Sequence, residues 1–195
     1  SYTTIIFIRW TRVLPTNSSL SKSLILLLAA TSALGPAAMQ ILLPALPVIK
    51  DTFRVSDDVA QLTLSLSMLA IAVGTLFYGP LSDKFGRKPV MLLGLCITVV
   101  GSVFCWLANS IELLIIGRVI QAFGGAVGLV LARAIIRDVY PAHEAARVIA
   151  TLVMVMVVIP MLSPALGGEL MQLYGWESVF VVVGILSALI LLVLI

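Results

Sequence analysis

Charge is what this chain has least of: Asp, Glu, Lys and Arg make up 11% of its 195 residues, against about 25% in a soluble domain. It therefore cannot clothe a water-facing surface in polar groups, and a lipid bilayer must be its main solvent. Histidine and cysteine are almost as scarce, with one and two copies. His143 stands in Pro141-Ala-His-Glu with no second histidine or carboxylate cluster beside it, and Cys96 and Cys105 fall within one apolar run. No metal-ligand spacing or disulfide framework can be drawn from such a set. A membrane-embedded enzyme would need a buried nucleophile with a base, or a metal cluster, and the sequence offers neither, so no catalytic residue is assigned. The net charge is +3, but the basic residues are dispersed over separate loops instead of forming one patch, which excludes nucleic acid as a partner.

What the chain has in abundance is apolar sequence, 61% of all residues. Stretches of roughly 20 apolar residues predict an all-α membrane protein with six spans, near residues 24–46, 60–82, 89–108, 111–132, 148–168 and 176–195. Residues 1–22 hold a short apolar patch interrupted by Arg9, Trp10, Arg12 and Pro15, too brief to cross about 30 Å of hydrocarbon, and are expected to form a cytoplasmic or interfacial tail. The final run LSALILLVLI has no polar flank, so the sequence is expected to be a fragment that continues beyond Ile195. With the amino end placed in the cytoplasm, Arg9, Arg12, Lys22, Lys84, Arg87, Lys88, Arg133, Arg137 and Arg147 all fall inside, and only Lys50 and Arg54 outside. That asymmetry sets the expected orientation.

Two connections share a pattern. Gly79, Leu81, Phe85 and Gly86 recur 89 residues later as Gly168, Leu170, Tyr174 and Gly175. The two connections are expected on opposite sides of the membrane, so the six spans read as two inverted triplets, the arrangement found in one half of many secondary transporters.

The densest charge cluster, Gly79-Pro-Leu-Ser-Asp-Lys-Phe-Gly-Arg-Lys-Pro-Val90, joins the second and third spans. Its Gly-x-Leu-x-Asp-x-x-Gly-Arg-Lys pattern resembles the signature loop of the major facilitator superfamily. That resemblance implies a conformational gate in which Gly79, Asp83, Gly86 and Arg87 act together with an acid at the cytoplasmic end of the fourth helix, here Asp138. Arg118 lies within the fourth span, where a cation costs about 2.5–3.5 kcal/mol on insertion scales and is expected to face a polar interior or to snorkel outward. Gln121, Gly125 and Leu129 share its helical face, while Gly124 and Gly128 form a small-residue pair on a neighbouring one. The run Arg118-Val-Ile-Gln121-Ala-Phe-Gly124-Gly125 is similar to the fourth-helix motif of drug/proton antiporters, with Ala122 where many members carry glycine.

In the fifth span, Pro160, Ser163, Pro164, Gly167 and Gly168 resemble the antiporter motif of the export branch, in the variant of Bcr/CflA-type multidrug exporters. Each proline removes one helical hydrogen bond and frees a carbonyl, at Met156 and Pro160, producing a kink beside a glycine surface. Leu42-Leu-Pro-Ala-Leu-Pro47 closes the first span in the manner of the same exporters. Gln40 stands where many of them carry a membrane carboxylate, and an amide cannot titrate. The resemblance, which covers residues 24–195, implies the amino-terminal six-helix bundle of a twelve-helix transporter of the bacterial inner membrane. It implies export of amphipathic drugs in exchange for protons, with the proton gradient as energy source and no cofactor or metal. Gln40, Arg118 and Gln121 are expected as polar anchors of a substrate cavity walled by Met39, Met68 and Leu129. The expected partners are the bilayer, small amphipathic substrates and a carboxy-terminal six-helix half. An uptake or metabolite transporter on the same scaffold is the alternative.

Overall fold

The computed structural model describes residues 22–195, and among them every regular element is helical. In chain order these are α1 (Lys22–Gln40), a 3-10 turn (Leu43–Ala45), α2 (Leu46–Phe53), α3 (Asp57–Phe85), α4 (Arg87–Trp106), α5 (Ile111–Val139), α6 (Ala142–Tyr174) and α7 (Ser178–Leu194). The tail expected over residues 1–22 lies outside the described residues but for Lys22, which opens α1. Five segments are long and apolar enough to cross a membrane: residues 24–53 (α1 to α2), α3, α4, α5 and α6. The helix α7 is a shorter apolar rod of 17 residues.

The helices differ from the expected apolar stretches chiefly at their ends, where polar residues keep the helical ladder going. Ser56 caps α3 by accepting from Val59 N, with Asp57 and Asp58 in the first turn, and Ser110 does the same for α5 from Leu113 N, with Glu112 following. Carboxylates there also complement the positive end of the helix dipole. α6 runs from Ala142 to Tyr174, well past its apolar core on both sides, and carries Pro160 and Pro164 inside it. The first span, expected to continue to residue 46, breaks after Gln40. Pro44 has no N–H to give the carbonyl of Gln40, so the ladder stops there, and the chain turns twice before α2 resumes at Leu46.

α5 is the hub. In its most apolar window 67% of the residues are buried, against 17% for α6, because α5 packs on α4, α3 and α1 at once, whereas α6 lies chiefly against α1. Glycines allow these approaches. A Cβ on Gly101 would lie 2.3 Å from Gln121 N, one on Gly124 2.5 Å from Thr98 N, and one on Gly128 2.1 Å from Thr31 O. Gly124 and Gly128, one turn apart, thus seat two different neighbours, α4 and α1.

The core divides into two ends. One, built on Tyr78, Val90, Leu95, Ile135 and Leu152, backs the Arg87 loop. The other, built on Leu42, Ile49, Leu114, Trp176 and Phe180, closes the opposite end. There Trp176 meets Phe53 and Phe180 edge-on at 5.5 and 6.0 Å, a geometry worth about 0.5–1.5 kcal/mol per pair beyond burial.

The two triplets are visible in the backbone. Gly86 ends α3 at φ 96°, ψ 154°, its N–H donating to Ser82 O at 3.0 Å; Gly175 ends α6 at φ 86°, ψ 167°, its N–H donating to Met171 O, also at 3.0 Å. Both φ values lie where a Cβ is strained. The packing of α3 on α5 is likewise repeated by that of α6 on α1.

Candidate functional site

Three groups of side chains carry the chemistry, and they lie at different depths. The first is the bend at Gly86. Because the chain turns there without a connecting loop, Arg87 starts α4 directly beside the last turn of α3, and its Nη1 sits 2.6 Å from Asp83 Oδ1 and donates to Ser82 Oγ. Its Nε donates to Asp138 Oδ2 at 3.0 Å, from the final turn of α5. The structure therefore brings Asp83, Arg87 and Asp138 together, and sets the α3–α4 bend and the α5–α6 bend at the same end of the bundle. Gly79 supplies the carbonyl that accepts from Ser82 Oγ at 2.8 Å. The Arg87 and Asp138 side chains retain 28% and 42% exposure, so the pair is a weak fastener, worth under about 1 kcal/mol. A double-mutant cycle of Arg87→Gln and Asp138→Asn, read by thermal unfolding, is expected to return a coupling of about 0.5–1 kcal/mol. A coupling indistinguishable from zero would mean that the pair adds nothing to the stability of the bundle.

The second group surrounds Arg118. It is 1% exposed and lies about 10 Å into α5 from Ile111, counting about 1.5 Å per residue. Protein encloses it on every side. Its Nη1 donates to Ala38 O at 3.3 Å and to Gln121 Oε1, its Nη2 points at Met39 Sδ at 3.4 Å, and its Cζ stands 5.9 Å from the centre of the Phe180 ring. No carboxylate pairs with it among the described residues, and its Nε has no acceptor.

What replaces a counter-charge is the broken end of α1. The last carbonyls of a helix lack intrahelical partners and carry its negative dipole end. The stop after Gln40 places that end inside the bundle, where Ala38 O meets the guanidinium. The α1 break and Arg118 are thus two parts of one device, although Ala38 and Arg118 are 80 residues apart in sequence.

Gln121 is also buried, at 1%, and its Nε2 donates to Ser102 Oγ at 2.8 Å; Ser102 in turn donates to Thr98 O at 2.9 Å. Thr98 and Ser102 are inconspicuous in the sequence because they lie in an apolar run. The available signal was two hydroxyls at i and i+4, next to Gly94 and Gly101, on the face of α4 that must meet α5.

The third group is a cleft of about 450 Å³ between α1 and α6, lined by Pro36, Gln40, Met156, Pro160 and Pro164 among others. Gln40 is its polar side chain. Gly167 locks α6 to the chain just past the end of α1, since a Cβ there would stand 2.2 Å from Ile41 O, and Ser163 donates to Ile159 O at 2.8 Å in the turn between the two prolines. Gly168 faces open space.

The expected single cavity wall is therefore divided. Gln40 lines the α1–α6 cleft, while Arg118 and Gln121 are sealed behind α1, since α5 turns their face toward α4 and α7. Leu129 lines a separate cleft with Thr75, Arg133 and Arg137, and Met68 is exposed on α3. His143 is exposed on the first turn of α6, 3.7 Å from Glu144.

Comparisons with known proteins agree on the scaffold. The family model described as Major Facilitator Superfamily matches residues 27–195. A bicyclomycin resistance protein homolog of Haemophilus influenzae is 32% identical over 85% of this chain and 42% of its own length, and multidrug resistance protein D of Escherichia coli is 31% identical over 85% and 42%. Among solved structures, a bacterial homolog of the human lysosomal transporter Spinster, inward-facing and occupied, superposes with a TM-score of 0.79 at 26% identity, over 91% of this chain and 44% of that one. The proton:xylose symporter XylE superposes at 0.77 with 15% identity, over 88% and 43%. The chain spans less than half the length of the curated relatives it matches.

Proposed function

Since the chain belongs to the Major Facilitator Superfamily, a family of multi-pass membrane transporters, we propose that it forms the amino-terminal half of an exporter of small amphipathic compounds. Transport would proceed by alternating access against a second six-helix half and be driven by the proton gradient. The observation that carries this reading is the build of α6. Pro160 and Pro164 weaken the helix within the cleft, while Gly167 fastens it to the backbone at Ile41, just past the end of α1, so it can bend at one point without losing its packing. Curated relatives bear resistance names: bicyclomycin, multidrug and, in Pseudomonas aeruginosa at 34% identity, chloramphenicol.

In this reading the cleft with Gln40 is the substrate wall, and Arg118 is a charge that ties the α1 break to α5. Asp83, Arg87 and Asp138 hold the cytoplasmic end of the bundle shut, and positive charge on that side orients the protein with its amino end inside. Gln40 cannot release a proton, so a proton cycle would run through Glu169, Asp138 or a carboxylate of the second half, unless coupling departs from the family pattern.

Expression of the full-length protein in an efflux-deficient host is expected to raise resistance to chloramphenicol or bicyclomycin, with the gain abolished by an uncoupler. A second reading, solute uptake coupled to protons, draws on the scaffold shared with the xylose symporter, a likeness of fold alone. Accumulation of labelled xylose without any gain in drug resistance would replace the first reading by the second. A further expectation concerns Gln40→Glu, which adds a negative charge to a cleft whose lining holds none. It should raise efflux of the permanent cation ethidium relative to chloramphenicol by about tenfold, the equivalent of about 1.4 kcal/mol; an unchanged ratio would remove Gln40 from the substrate path.

A further inference from the structure

The hydrogen bonds around Arg118 have a direction. Ser102 spends its only hydroxyl proton on Thr98 O at 2.9 Å, so toward Gln121 it can only accept, and it accepts from Nε2 at 2.8 Å. That contact decides which way the Gln121 amide lies, because an amide carries its acceptor and its donors at opposite corners. With Nε2 held by Ser102, Oε1 is left facing Arg118, and there it receives Nη1, the same nitrogen that reaches Ala38 O at the broken end of α1. Turned the other way, the amide would set an NH2 against a guanidinium, donor against donor.

The surroundings leave Ser102 little choice of partner. It is 2% exposed, Gly101 brings its helix flush against the Gln121 backbone, and a Cβ on Gly184 of α7 would stand 3.1 Å from Ser102 Cβ. Loss of the hydroxyl would leave a buried amide N–H unpaired in a low-dielectric interior, where such groups relax by turning to another acceptor.

We propose that Ser102 of α4 is a positioning residue for transport: through Gln121 it fixes the guanidinium of Arg118 on the α1 break, and so connects a helix that does not line the α1–α6 cleft to the end of α1 that borders it at Gln40. This rests on the exporter reading for its consequence in transport, but not for the linkage itself. Ser102, Gln121 and Arg118 form a single series, so removing the first link should matter only while the second is present.

The test is a double-mutant cycle of Ser102→Ala and Gln121→Met in the full-length transporter, read two ways. In chloramphenicol efflux from cells, Ser102→Ala should lower the maximal rate about fivefold with the half-saturating concentration unchanged, and the double variant should be no slower than Gln121→Met alone. A fall of less than twofold, losses that multiply, or a raised half-saturating concentration at full rate would each overturn the proposal. In thermal unfolding of the purified protein, the two substitutions should cost less together than the sum of their separate effects. That second reading stands even if the wild type exports no chloramphenicol, which would count against the exporter reading and not against the linkage; additive losses of stability would overturn the linkage itself.

Discussion

Alanine at Gly128 is expected to leave almost no folded protein in the membrane. Its Cβ would stand 2.1 Å from Thr31 O and 2.6 Å from Thr31 C. Both are backbone atoms of a helix held along its length, so neither can swing aside as a side-chain tip would. Relief requires α1 and α5 to separate, which also stretches Ser32 Oγ away from Gly128 O, now at 3.2 Å, and Ala38 O away from Arg118. Overpacking of this kind costs about 1–3 kcal/mol or more, and the helix propensity gained from glycine to alanine returns only about 1 kcal/mol. Gly168→Ala is the matched control, because its Cβ meets nothing within 4 Å; its folded yield should equal or exceed that of the parent. Fluorescence-detected size exclusion of the full-length protein measures both. A monodisperse Gly128→Ala peak at parental height would show that α1 and α5 are not in backbone contact.

Arg118→Met in the full-length protein should abolish chloramphenicol efflux while leaving folded yield unchanged or higher. The two outcomes have one cause. A buried guanidinium with neutral partners and an orphaned Nε is held at an expense of about 2.5–3.5 kcal/mol on insertion scales, and an apolar side chain of similar length removes that expense. The loss of the bond to Ala38 O offsets part of the gain. Residues that stabilise a fold lose yield when replaced, and residues kept for transport do not. Efflux retained at more than about a tenth of the parental rate, a difference of about 1.4 kcal/mol, would remove Arg118 from the transport cycle.

Much of this architecture is legible in the sequence because bilayer constraints are severe: backbone groups in lipid must bond within their own helix, so the apolar runs can be little else. The bend at Gly86 could be read from its glycine, which takes a positive φ without strain, while the grouping of Gly79, Asp83, Gly86 and Arg87 as a gate came from the family resemblance. The contact between Arg87 and Asp138 needed the family resemblance, since 51 residues separate the partners. The place of Arg118 was legible only in part. Its expense pointed to the interior, but helical periodicity gives a direction about the axis of α5 and not the neighbour met there. Whether that neighbour is an open cavity or the end of another helix depends on how α1 is seated, and the seating depends on Gly128, Gly125 and Gly35, whose role appears only when the helices are put together. Ser102 was invisible for a simpler reason. A serine in a membrane helix ordinarily bonds its own preceding turn; this one does so too, and only its second lone pair serves Gln121.

The twin bends at Gly86 and Gly175 share dihedral angles and hydrogen bond, but not company. The first is followed by Arg-Lys and preceded by Asp-Lys-Phe; the second stands between Tyr174 and Trp176. A backbone assembled from two triplets turned upside down relative to one another reads almost alike from either face, and so gives an inserting chain little reason to choose which face leads. The guanidinium and ammonium groups gathered at one end, at the Gly86 bend and around the α5–α6 connection beside it, would break that tie. In the exporter reading, the same end that is proposed to hold the bundle shut would then also tell the whole molecule which way is up.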